Sequence, residues 1–318
     1  MAKPSAKSTR RRAKLLRKCT QWFFRFSPRR AIRNARPVTP LPKELILRHV
    51  QAALAEDIGA GDTTTLATVP ESAVGRAAMV AREELVVCGL PLAEAAFQQQ
   101  SASCQISSTT QDGSRVHRGD PLMEVRGAAR ALLTAERVAL NFMGHLSGVA
   151  TATHQLVERI AGTKARIICT RKTTPGLRVL EKYAVRCGGG TNHRQRLDDG
   201  ILIKDNHKRL AGGVGAAASR AMAQSQGLPV EVEVENLAEL DEALKAGVPR
   251  ILLDNFTTDD IREAVARVNG KADIEISGGV TLDRIPELAS TGAQYVSIGA
   301  LTHSAPAADL SFELEPAE

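Results

Sequence analysis

The chain has 318 residues, 43% of them hydrophobic, enough to bury a full core in one large or two medium domains and to place it in the soluble globular class. No run approaches the roughly 18 apolar residues of a membrane span, and the five cysteines (Cys19, Cys88, Cys104, Cys169, Cys187) show neither CxxC nor Cys/His metal spacing, which argues against a disulfide scaffold or zinc site and for reduced thiols inside a cell. The formal charge of +7 is a terminal effect: 14 of the 42 Lys and Arg and none of the 35 Asp and Glu fall in residues 1–43, so the body is acidic and general attraction to nucleic acid is not expected.

Residues 1–40, with Arg10-Arg11-Arg12 and Trp22-Phe23-Phe24, read as a basic, disordered extension. A transit peptide, a basic tail and translation from an upstream start codon all fit that composition. From about Pro42 the pattern becomes globular. LILRHVQAALAED has helical spacing, and Asp62 in the following IGAGDTTT is placed to cap the next turn. Short β-like runs (GRAAMVARE, ELVVCG, SCQISSTT, PLMEVRG) and a helical PLAEAAFQQQ predict an α+β unit, with Asp112-Gly113 and Arg118-Gly119-Asp120 as turns. Residues 128–162 form the longest helix-compatible stretch and the bridge between domains; Gly144 and Gly148 either interrupt it or allow close packing.

After Gly162, β-branched runs alternate with helical ones, the pattern of parallel βα units. Strands are predicted at ARIICT, DGILIKD, PVEVEVE, RILLDN, ADIEISG and QYVSIGA, which predicts either a barrel or an open doubly wound sheet. No GxGxxG follows a strand and no Walker motif occurs. Each strand ends in polar or glycine residues: Thr170-Arg171-Lys172, Lys204-Asp205-Asn206, Glu233 to Glu235, Asp254-Asn255, Ser277-Gly278-Gly279 and Gly299-Ala300. Parallel βα proteins bind ligands at the carboxyl ends of their strands, so these groups converge on one site. Alternation along VEVEVE puts Val230, Val232 and Val234 on one face and Glu231, Glu233 and Glu235 on the other; with helices covering the outside the glutamates point inward, with Lys172 and Lys204 as candidate partners, and the alternative is an edge strand with a solvated Glu face.

Between Ile168 and His207 lie Arg171, Lys172, Arg178, Lys182, Arg186, His193, Arg194, Arg196, Lys204 and His207, against Glu181, Asp198, Asp199 and Asp205. Such an excess of cations is either a solvated basic face or a grip for a small polyanion. The glycines of ISGGV and VSIGAL resemble backbone phosphate cradles, and Gly188-Gly189-Gly190 reads as a loop presenting His193 and Arg194.

Taken together, EDIGAGDTTT, ARE, GLPLAEAAF, ERVALNFMGHLSGVAT, TRKTTPGLRVLEKYAVRCGGGTNHR, ILIKDNH, EVEVE, ILLDN, ISGGV and SIGALTHS resemble the quinolinate phosphoribosyltransferases, from about Leu45 to Ser304. The resemblance implies an N-terminal α+β domain (41–143), an incomplete C-terminal α/β barrel (144–301) and a tail (302–318) returning to the first domain. It implies transfer of phosphoribose from 5-phosphoribosyl 1-diphosphate to the pyridine nitrogen of quinolinate, with loss of CO2 and pyrophosphate to give nicotinate mononucleotide in de novo NAD synthesis. Thr170, Arg171, Lys172, His193, Arg194 and Lys204 would line the quinolinate and diphosphate region, with Arg137 supplied by a partner subunit. Glu233 and Asp254 would sit near the ribose and a weakly held Mg2+, and Ser277, Gly278, Gly279, Ile298, Gly299 and Ala300 would cradle the 5-phosphate. Lys172, Lys204, Glu233 and Asp254 form the expected catalytic set. A cytoplasmic homodimer or homohexamer with a shared site is expected, binding neither nucleic acid nor membrane. The competing readings are a paralogue acting on another anionic acceptor and an RNA-binding protein.

Overall fold

The structure is a computed structural model and describes residues 38–317; the basic extension, up to residue 37, lies outside the described residues. Helix α1 (Lys43–Ile58) follows Pro42, whose fixed φ suits a helix start, and buries Val50 and Leu54. In α2 (Thr63–Thr68) the Asp62 carboxylate accepts the Thr65 N–H at 3.0 Å, the cap its position predicts.

Strands β1 (Val74–Ala81), β3 (Gln105–Ser108) and β5 (Pro121–Ala128) form an antiparallel sheet with β12 (Leu310–Pro316), in the order β12-β1-β5-β3. Strands β2 (Leu85–Val86) and β4 (Arg115–Val116) pair separately. The register of β1 on β12 runs from Gly75↔Pro316 to Ala81↔Leu310, so the end of the chain completes the N-terminal sheet. Helix α3 (Leu90–Gln100) buries Phe97, which stacks on Phe312 of β12 with centroids 5.4 Å apart.

Helix α4 (Ala129–Arg159) runs unbroken for 31 residues, so its glycines do not interrupt it. They admit another backbone. A Cβ at Gly148 would lie 2.0 Å from the Pro306 carbonyl oxygen and one at Gly144 3.2 Å from that of Ala308, whose N–H donates to Gly144 O at 2.9 Å. The boundary at 143/144 thus falls inside a helix that serves both domains.

The second unit carries β6 (Arg166–Ile168), α5 (Arg178–Cys187), β7 (Ile201–Ile203), α6 (Asp205–Ala211), α7 (Val214–Gln224), β8 (Val230–Val234), α8 (Leu237–Lys245), β9 (Arg250–Asp254), α9 (Thr258–Val268), β10 (Asp273–Ser277), α10 (Ile285–Ser290), β11 (Tyr295–Ser297) and α11 (Ala300–His303). Its strands form one parallel sheet, β6-β11-β10-β9-β8-β7. The first strand joins the last, so the sheet curls; β6 and β7 do not pair, and Ile168 instead bridges Thr191. This is an incomplete barrel. Val230, Val232 and Val234, with Ile251, Leu253, Ile274, Ile276 and Val296, are fully buried on its helix-covered outside. The alternate positions turn charged side chains into the barrel.

Candidate active site

Parallel register brings the polar strand ends to one mouth. Ser277 pairs with Asp254, Ile276 with Val296 and Ser297 with Ile168, while Ile203 pairs with Val232. Thr170 to Lys172, Lys204, Glu233, Asp254, Ser277 to Gly279 and Ile298 to Ala300 therefore share the carboxyl rim of the sheet. Asn192 to Arg194 joins them because the Thr191 bridge places that segment beside β6.

At this rim two guanidiniums face an unfilled need. The Nε of Arg171 and the Nε of Arg194 are both buried without a hydrogen-bond partner, and neither residue has a carboxylate in ion-pair contact among the described residues. Arg194 donates from Nη1 to Gly200 O at 2.7 Å. Burial and, next, the neighbouring Arg171 charge push its pKa down, more than the Asp199 and Glu231 carboxylates raise it. Two forked cations, each with a free Nε, match a ligand with two carboxylates or a diphosphate.

Lys204 Nζ contacts the carboxylate of Glu233, which is buried while the lysine stays half exposed. Lys172 ion-pairs with none of the barrel glutamates; of the two lysines, only Lys204 meets one. Its amide instead donates to Thr170 Oγ1 at 3.0 Å and its carbonyl accepts from Thr302 Oγ1 at 2.7 Å. A Cβ at Gly299 would meet Lys172 Cδ at 3.0 Å and Thr170 Oγ1 at 3.5 Å, so glycine keeps that corner open. On the next strand end Gly278 has φ +85, and a Cβ there would lie 3.0 Å from the Asn255 nitrogen. Asn255, itself at φ 59, donates its side-chain amide to Asp254 Oδ2 at 3.0 Å. That contact leaves Asp254 the other oxygen for a ligand.

His193 is committed inward. Its Nδ1 accepts the Arg194 N–H at 2.7 Å, so Nε2 carries the proton and donates to Glu231 Oε2 at 2.8 Å. Glu275 lies 3.8 Å from the same nitrogen. Burial, reinforced by the Glu231 charge, pushes the Glu275 carboxyl up to about 8 and raises Glu231, while burial lowers His193. The trio lies close enough to ligate a metal, yet its protonated Nε2 offers no lone pair. Both ring nitrogens of His193 are occupied within the protein, and the histidine orients the backbone that presents Arg194. A cleft of about 530 Å³ opens beside Arg194 along β7, but exposed Leu197 and Leu210 line it and its wall is mostly apolar. It does not match two polyanionic ligands.

Residues 62–147 match the family of the quinolinate phosphoribosyl transferase N-terminal domain, and residues 149–313 that of its C-terminal domain. The chain belongs to the quinolinate phosphoribosyltransferase family. A nicotinate-nucleotide pyrophosphorylase [carboxylating] of Mycobacterium leprae is 44% identical over 271 residues, covering 83% of this chain and 95% of the relative. A probable enzyme of the same name from Bacillus subtilis is 40% identical, covering 81% of this chain and 90% of the relative. The solved nicotinate-nucleotide pyrophosphorylase of Francisella tularensis superimposes with a TM-score of 0.84 at 40% identity, covering 89% of this chain and all of that one.

Membership does not by itself say where each group points. Arg137 is exposed on α4 and makes no hydrogen bond or ion pair among the described residues. Charge counting also miscounted the cluster. Lys182 is 1% exposed and donates to the carbonyls of His193 and Arg194, and Arg178 donates to Thr173 Oγ1 and Gln195 O. Arg186 reaches Thr39 O. Glu231 and Glu275 were missed as partners of His193, although the VEVEVE alternation already placed Glu231 inside.

Proposed function

We propose that this chain is a quinolinate phosphoribosyltransferase, a pentosyltransferase that joins quinolinate and 5-phosphoribosyl 1-diphosphate to give nicotinate mononucleotide, CO2 and pyrophosphate in NAD biosynthesis. The observation that carries the reading is the Arg171–Arg194 couple, with both Nε atoms free, at the rim of a barrel whose relatives are named nicotinate-nucleotide pyrophosphorylase [carboxylating]. Arg171 and Arg194 would take the two carboxylates of quinolinate, each charge-assisted contact contributing about 1.5–3 kcal/mol. Thr170, Lys172 and Lys204 line the same rim, where the lysines balance the diphosphate.

The pyridine nitrogen is itself the nucleophile, so no protein base has to generate one. Positioning and charge stabilisation do most of the work. Glu233, held by Lys204, and Asp254, held by Asn255, lie on adjacent strands and would serve the ribose hydroxyls and the positive charge developing at the anomeric carbon. The glycine-rich ends Ser277 to Gly279 and Ile298 to Ala300 would receive the 5-phosphate on backbone N–H groups. A site with few protein carboxylates suits Mg2+ carried by substrate phosphates, and Glu233 and Asp254 would hold it, neutralising the leaving pyrophosphate. The exposed Arg137, without a hydrogen bond or ion pair among the described residues, is assigned to a neighbouring subunit's site in a homodimer or larger assembly. The described cysteines are free thiols, in keeping with a cytoplasmic enzyme; among the described residues no helix is long and apolar enough to cross a membrane.

Purified protein with 5-phosphoribosyl 1-diphosphate, Mg2+ and either quinolinate or nicotinate tests the reading. Pyrophosphate release with quinolinate, matched by CO2, supports it. Release with nicotinate alone moves the function to a monocarboxylate acceptor, and silence with both overturns it.

A further inference from the structure

The two segments that carry the anion-binding arginines are fastened to one helix. On α5, Arg178, Glu181 and Lys182 have the i, i+3, i+4 spacing of a single face. Glu181, fully buried, accepts the Thr174 N–H at 3.1 Å with one carboxylate oxygen and contacts His145 Nε2 of α4 at 3.0 Å with the other. Lys182 Nζ donates to His193 O and Arg194 O, each at 2.7 Å, and makes no ion pair. Arg178 spans both segments, from Nε to Thr173 Oγ1 at 3.0 Å and from Nη1 to Gln195 O at 3.2 Å. One face thus holds the Arg171 to Thr174 loop on one flank and the His193 to Gln195 loop on the other.

Burying a lysine and a glutamate side by side in a helix, each spent on main-chain groups of a different loop, is costly where apolar packing would do. The arrangement has a use if loop spacing matters. We propose that the Arg178–Glu181–Lys182 face of α5 sets the separation of Arg171 and Arg194, and so determines which spacing of two carboxylates the site accepts. These three are positioning residues, bonded to protein groups of the two loops. The inference rests on the dicarboxylate reading above.

The test is calorimetric titration of the full chain with benzene-1,2-dicarboxylate, benzene-1,3-dicarboxylate and, separately, 5-phosphoribosyl 1-diphosphate. Wild type is expected to prefer the 1,2-isomer. Lys182→Met and Glu181→Ala should lose about tenfold or more of that affinity and narrow the preference between isomers, because a loop shifted by an ångström no longer matches its ligand. Diphosphate affinity should stay within about twofold. Glu181→Gln, which keeps an acceptor for the Thr174 N–H, should restore the preference. If Lys182→Met does not fold, Arg178→Ala, at the partly exposed helix start, reads the same ratio. Variants that keep both affinity and isomer preference, or that lose diphosphate affinity in parallel, overturn the proposal. Wild type that turns over quinolinate while the variants behave normally overturns it alone; wild type that binds neither isomer overturns the dicarboxylate reading with it.

Discussion

Buried beneath His193, Glu275 has a carboxyl pushed up from 4.5 to about 8, first by burial and then by the charge of Glu231. The folded protein keeps a proton there that the unfolded chain releases above about 4.5. This contribution to stability is therefore full in acid, declines as pH rises from about 5 to 8, and levels off beyond. Glu275→Gln should flatten that decline by on the order of a few kcal/mol, read as urea midpoints across a pH series. Rim residues behave differently. Lys172→Ala and Glu233→Ala should lower turnover by about 10²-fold or more with little change in melting temperature, because they act on developing charge rather than on packing. Either variant with undiminished turnover leaves the catalytic set. By residue type Arg171 and Arg194 were two of ten cations; the family resemblance singled them out. The separate role of Lys182 and Arg178 was not legible, because composition counts a charge without saying whether a ligand or a carbonyl receives it.

Among the elements, α4 shows what periodicity resolves and what it leaves open. Its apolar pattern predicted the long helix, yet left two meanings for Gly144 and Gly148. The structure decides for close packing, since the Pro306 to Ala308 backbone crosses there. Gly148→Ala should therefore destabilise the protein by about 1–3 kcal/mol or more, the range for overpacking against an unyielding partner, while leaving the helix itself slightly favoured. Equilibrium denaturation with far-ultraviolet circular dichroism would show a lower midpoint; an unchanged one would mean that the tail yields freely. Asp112 carries a related lesson. Read as a turn residue, it accepts the Gly89 and Leu90 N–H groups at the start of α3 and the Tyr183 hydroxyl of α5. Local sequence marks the turn but cannot show that the carboxylate also ties two domains.

Across the whole molecule, the rim groups lie between Thr170 and Ala300, and the N-terminal sheet is closed by β12. A chain beginning at Val38 should keep its fold and its pyrophosphate release, checked by circular dichroism and single-turnover assay. Deleting residues 304–317 should lower the melting temperature and solubility, since it strips β1 of its edge partner and Phe97 of its stacked ring. The sequence by itself determined the βα alternation, the inward Glu231 and Glu233 of β8 and the polar strand ends, because each follows from periods of two or 3.6 residues along a short stretch, whereas Glu235, past the end of the strand, is exposed. Periodicity left a barrel and an open sheet as alternatives, and the family resemblance chose the incomplete barrel. Only the tertiary structure decided that β6 closes on β11, that Ile168 meets Thr191 rather than β7, and that residue 316 pairs with residue 75. Those pairings join groups far apart in the chain, and the buried surface that selects them exists only once the parts have met.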